Sequence, residues 1–120
     1  MDRVRRIEHK AKTVILLDVS GCGAAEAAKV LVEGRNLIAA CAPKSALTLT
    51  DVTGARFDDA PTREAQTNAK LNAPYVRAAA LVGVTGLKKI VFNAVTRMTG
   101  RDYKVFDTRE QALEWLAAQG

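Results

Sequence analysis

The sequence predicts an α/β fold: a mixed, mostly parallel sheet of four or five strands with about four helices and an antiparallel first strand. Three observations carry that expectation. Short strand-like runs alternate with segments of helical periodicity, which implies parallel strands joined by right-handed crossovers. Residues 13–19 are almost continuously apolar, as a strand covered on both faces must be. Hydrophobic residues make up 48% of the 120 residues and charged residues 26%, enough apolar side chain for the core of one domain over residues 1–120. Aromatics are only 5%, so that core must be built from Ala, Val, Leu and Ile.

Each element has its own local cause. Residues 4–8 form a short strand with interleaved charges, and residues 9–12 turn back into the apolar strand 13–19. Ser20-Gly21-Cys22-Gly23 breaks that strand. A helix follows over 24–40, with Ala27, Val30, Leu31, Gly34 and Ile38 on one face, and Pro43 limits its continuation. Residues 45–51 form the next strand, where Leu47 and Leu49 alternate with Thr48 and Thr50. Asp59 is placed to cap a second helix over 60–72 with Pro61 in its first turn. Its apolar content is mostly Ala65, Ala69 and Leu71, so it is expected to be loosely held or partly exposed.

Residues 75–82 read as a further buried strand, in which Ala78, Ala79 and Ala80 allow close approach of flanking helices. Gly83-Val84-Thr85-Gly86 ends it. Leu87, Ile90, Val91, Ala94, Val95 and Met98 give a third helix over 87–99, closed by Gly100 at its C-cap. Residues 103–106 form the last strand. Thr108 and Gln111 make a capping-box signal for a final helix to about residue 118, anchored by Ala112, Leu113, Trp115 and Leu116. No internal repeat, linker or low-complexity segment is recognised.

Composition narrows the function classes. The net charge of +5 favours anionic partners, but Lys and Arg are dispersed apart from Arg3, Arg5 and Arg6. Stacking aromatics are few, which argues against nucleic acid. No apolar run is long enough for a membrane span and no signal-peptide core follows the basic start, so a cytoplasmic location is expected. Cys22 and Cys41 flank one helix roughly 25 Å apart, beyond disulfide reach, and two free thiols are expected.

Several segments, taken in order, carry a resemblance. They are residues 49–58 (Leu-Thr-Asp-Val-Thr-Gly-Ala-Arg-Phe-Asp), Asn72-Ala73-Pro74-Tyr75-Val76, residues 82–89 and Lys104-Val105-Phe106-Asp107. Together the chain resembles the bacterial STAS/SEC14-like domain proteins, relatives of the sporulation anti-sigma-factor antagonist, over almost its whole length. The resemblance implies a four- or five-stranded mixed sheet with packed helices. It also implies a regulatory surface where the loop after the middle strand meets a helix N-terminus, with a phosphorylatable serine in an Asp-Ser-Ser-Gly motif that partner kinases read. Here Asp59 matches the aspartate, Ala60 and Pro61 stand where the serines would be, and Thr62, one residue later, is the nearby hydroxyl. The SEC14-like name further implies an apolar ligand.

The residues themselves leave three candidate chemistries. Ser20, Gly21 and Cys22 open a helix after a strand, where phosphate loops sit, yet Glu26 replaces the third small residue of a dinucleotide fingerprint and no Walker lysine is present. Cys22 stands beside a helix N-terminus that lowers thiol pKa values, but the only histidine, His9, is expected at the opposite end of the sheet. Asp18, Asp51, Asp58 and Asp59 fall at strand C-terminal ends, where open α/β sheets bind ligands, without the further donors of a metal site. Thr85, Gly86, Lys88 and Lys89 form the strongest anion candidate, since two lysines in a first helical turn oppose the macrodipole and an anion there would offset the cost. Arg97, Arg101 and Lys104 are candidates to extend a basic patch.

Two functions follow as expectations. The first is a non-catalytic regulatory or protein-interaction module whose partner surface includes Thr53, Arg56, Asp58, Asp59, Thr62 and Arg63. The alternative is a carrier or sensor of a small ligand (anionic, nucleotide or lipid) at the strand C-terminal edge, using Ser20, Gly21, Cys22, Asp51, Thr85, Gly86, Lys88 and Lys89. No catalytic constellation, cofactor, metal or nucleic-acid partner is expected, and homodimerisation is compatible with so small a domain.

Overall fold

The computed structural model describes residues 3–86, 89–90, 92–93 and 103–119. Its elements are β1 (Val4–His9), β2 (Lys12–Asp18), α1 (Ala24–Ile38), β3 (Ala46–Asp51), α2 (Asp59–Leu71), β4 (Val76–Val82), β5 (Lys104–Phe106) and α3 (Arg109–Ala117). Each lies within a residue or two of its expected bounds. Of the helix expected over 87–99, Lys89, Ile90, Phe92 and Asn93 are helical. The rest of it, with Lys88, Arg97, Gly100 and Arg101, lies outside the described residues.

The five strands lie in chain order, β1-β2-β3-β4-β5. The two residues Lys10 and Ala11, both at positive φ (49° and 66°), join β1 to β2, and so short a connection permits only antiparallel pairing. All later neighbours are parallel, each joined by a crossover. The first strand is therefore the antiparallel exception, as the sequence predicts.

Alternation along the strands distributes residues to two cores. Ile15, Leu17, Ala79 and Leu81 face α1 and α2, and Phe92 packs on this same side against Phe57 and Tyr103. Val14, Leu16, Leu47, Leu49, Ala80 and Val82 face α3 through Ala112 and Leu116, with Trp115 against Phe106. The unbroken apolar run of β2 follows from this double coverage. On α1 the expected stripe is the buried one, and a Cβ at Gly34 would stand 2.2 Å from Leu17 Cδ2, so glycine lets that helix press onto β2.

The second helix is partly exposed, one of the two expected outcomes, but it is tied down by polar contacts. Pro61, Ala65, Asn68 and Ala69 are buried, while Leu71 is exposed. Small side chains bring α2 close to α1. Polar ties then fix it: Arg35 Nη2 lies 2.7 Å from Glu64 Oε1, and Asn68 Nδ2 donates to the Leu31 carbonyl at 2.9 Å. Its N-cap is Asp58, not Asp59, and makes no side-chain capping bond; its carboxylate instead meets Arg56 Nε at 3.3 Å. The expected cap at α3 is present, with Thr108 Oγ1 accepting from Gln111 N at 3.2 Å and Gln111 Oε1 accepting from Asp107 N. No helix among the described residues is long and apolar enough to cross a membrane.

Burial dictates how leucines respond to truncation. Leu49→Ala, in the middle strand with no exposed surface, is expected to cost about 2–5 kcal/mol. Leu71→Ala, on the outside of α2, should stay within about 0.5 kcal/mol of the wild type. Urea denaturation of both variants checks the contrast.

Candidate functional site

Three strand ends carry one recurring turn. Asp18-Val19-Ser20-Gly21 begins at the last residue of β2, Asp51-Val52-Thr53-Gly54 at the last residue of β3, and Gly83-Val84-Thr85-Gly86 directly after β4. This recurrence escapes a search for long repeats because each copy is only four residues. The physical roles repeat with the letters. Val19, Val52 and Val84 are all buried in the core beneath α1 and α2. Gly21, Gly54 and Gly86 all have positive φ (68°, 68° and 57°), which their position in the turn demands.

The first two copies are locked alike. Asp18 Oδ1 accepts from Ser20 N at 3.1 Å and from its hydroxyl, and Asp51 Oδ1 accepts from Thr53 N at 3.0 Å and Oγ1 at 2.6 Å. Backbone bonds carry the ladder past the strands: Val19 N donates to Asp51 O, Gly21 N to Thr53 O, and Val52 N to Val82 O, all at 2.8–2.9 Å. The third copy has glycine where the others have aspartate. A Cβ at Gly83 would lie 2.2 Å from Thr53 Oγ1 and 2.6 Å from Thr53 Cα, and its φ is 81°. The neighbouring turn leaves no room for a side chain there.

A cation from the far face of the sheet closes the cluster. Arg109, the first residue of α3, places Nη2 3.0 Å from Asp18 Oδ1 and Nε 2.7 Å from Asp51 Oδ2. Burial alone would raise both carboxyls. The hydrogen bonds from Ser20 and Thr53, with the charge and hydrogen bonds of Arg109, outweigh it and hold both below their ordinary value. Arg3 adds a second clamp, donating from Nη1 to the carbonyls of Asp18 (3.1 Å) and Ser20 (2.9 Å). The sequence predicts a first-turn cation opposing the helix dipole at Lys88 and Lys89. Its compensated form occurs at Arg109, and the anions are the protein's own.

The expected ligand residues Ser20, Gly21, Cys22, Asp51, Thr85 and Gly86 do gather at this strand edge. Lys89 is exposed beside them, its amide donating to Gly86 O at 3.1 Å, and Lys88 lies outside the described residues. Cys22 is buried, and that burial pushes its thiol up, with Glu26 adding to the effect against Arg3. The shift is opposite in direction to the lowering expected from the helix N-terminus. His9 sits at the opposite end of the sheet, its Nε2 3.0 Å from Glu114 Oε1. Both cysteines are free. Among the described residues no group of three or more His, Cys, Asp or Glu gathers as metal ligands.

Of the expected interaction residues, Thr53, Arg56, Asp58, Asp59 and Arg63 are exposed along one stretch from the second turn into α2. Thr62 is half-buried, with its hydroxyl directed at the Phe57 carbonyl.

Two substitutions test the cluster. Arg109→Gln leaves Asp51, 8% exposed, without its cation, and should cost about 2 kcal/mol, less than a fully buried pair because Arg109 itself is partly solvated. Since both carboxyls titrate below 3.8, their stabilisation is complete above that pH and is lost as pH falls through the lowered values. The variant's stability should therefore fall less steeply in acid, as equilibrium unfolding across pH 2–5 would record. Gly83→Ala should cost more than about 2 kcal/mol through strain and collision with Thr53, whereas Gly23→Ala, with open space around it, should be nearly silent.

Compared with known proteins, the chain matches no family model, no curated protein and no solved structure.

Proposed function

We propose that this chain is a non-catalytic, cytoplasmic interaction module of STAS-like type, which presents the segment from Thr53 to Arg63 to a protein partner. One observation carries it. The carboxylates at the strand edge are engaged by their own turns and by Arg109, so they brace the rim instead of offering a base or nucleophile. Beside that braced rim, the acidic pair Asp58 and Asp59 is flanked by Arg56 and Arg63 on a backbone fixed by the second turn and α2. A pre-organised charged surface of this kind favours specific association, because little conformational freedom is lost on docking. The reading draws on the resemblance, whose implied mixed sheet with packed helices is a generic α/β architecture that this chain has. Thr62 does not replace the family's serine in this proposal, because its hydroxyl is turned inward.

A photo-crosslinking residue placed at Arg56 or Arg63, in the protein's own host, should give one dominant protein adduct. The double variant Asp58→Lys, Asp59→Lys should reduce that adduct about tenfold or more. The same residue placed at Glu8 on β1 should give none. Identical adducts from both positions, or indifference to the charge reversal, would reject this surface.

A further inference from the structure

The core beneath α2 is not filled by hydrocarbon. Asn68 and Asn72 lie one helical turn apart, 6% and 5% exposed, on the side of α2 that faces the sheet. The bond from Asn68 Nδ2 to Leu31 O fixes that amide's orientation, and among the described residues neither its Oδ1 nor Asn72 Oδ1 has a hydrogen-bond partner. With Thr48 and Thr50 of β3 they line a cavity of about 30 Å³. One water requires about 10–15 Å³ by this measure, so the space is real on a molecular scale. Both orphan atoms are acceptors, and buried acceptors require a donor.

A second cavity, of about 300 Å³, adjoins the first, with Leu81, Phe92 and Tyr103 lining both. It lies by the C-terminal ends of β4 and β5, where Val84, Lys89 and Val105 also border it. The chain path explains its position. The helical residues after β4 pack through Phe92 on the α1–α2 face, whereas α3, after β5, packs on the opposite face. Adjacent parallel strands whose connections diverge in this way leave a crevice at their C-terminal ends, the usual ligand position in open α/β sheets.

We propose that these two cavities form one binding site for a small apolar, ring-sized molecule carrying a single O–H or N–H donor. Its body occupies the larger cavity against Phe92, Tyr103 and Val105. Its donor is received in the polar pocket of Asn68 and Asn72. No residue of the Thr53–Arg63 stretch lines the site, although Phe57 packs against Phe92 from outside it, and the proposal does not rest on that surface.

Benzyl alcohol and toluene, the same ring with and without a hydroxyl, are the probes. Each is titrated into the isotope-labelled full chain while amide resonances are followed. Benzyl alcohol should shift the backbone amides of Val84, Phe92 and Val105 and the side-chain amide of Asn68, and toluene should bind about tenfold more weakly. Asn72→Leu, which removes an acceptor and fills the pocket, should bring benzyl alcohol down to the level of toluene, while Asn72→Ser, which keeps an oxygen, should not. Absence of any shift, shifts confined to other residues, or equal affinity for the two probes would overturn the proposal. If Asn72→Leu does not fold, the wild-type comparison of the two probes decides alone.

Discussion

The guanidinium of Arg109, held between Asp18 and Asp51, is the contact on which the arrangement of this molecule turns. It crosses from the helix on one face of the sheet to the ends of two central strands. Without it, two carboxylates in register on adjacent parallel strands would face each other across one ladder step. With it, their proximity becomes an advantage, since one planar cation serves both and aligns the first turn of α3. Helix layer, strand register and loop conformation are fixed at a single point.

The rest of the edge follows from that constraint. Each carboxylate bonds its own turn with one oxygen, and Arg109 recruits both. The turns then stack closely enough that the third cannot carry a side chain at Gly83. A residue that breaks the repeating pattern is thus a consequence of the pattern next door. The edge is charge-balanced internally, which is why the outward residues of the Thr53–Arg63 stretch, and not the strand-end aspartates, are available to another molecule.

Most of the architecture was legible in the sequence because it rests on local periodicity. The double-sided run of β2, the stripe on α1 and the Thr108–Gln111 cap each declare themselves within a few residues. What stayed hidden depends on contacts distant in the chain. Arg109 lies 58 residues from Asp51, and its neighbourhood signals only a helix start. The grip on α2 has no local signal because it rests on polar ties to α1: Glu64 and Asn68 look like surface residues until α1 is set against them. The same holds for Asn72, whose burial nothing local announces. The recurring turns were visible in principle, as an aspartate, a valine, a hydroxyl and a glycine twice in succession after apolar runs.

The two margins of the sheet differ in construction, and this bears on how copies of the chain could meet. β1 exposes Arg5, Arg6 and Glu8, while β5 is only three residues long. Charged side chains on one border and brevity on the other both discourage a neighbouring chain from adding its own strand. A second copy would thus have to approach through helices or loops, leaving the β-layer finite. The molecule can hold a parallel sheet of high apolar content at cellular concentration without offering it as a template for fibrous growth.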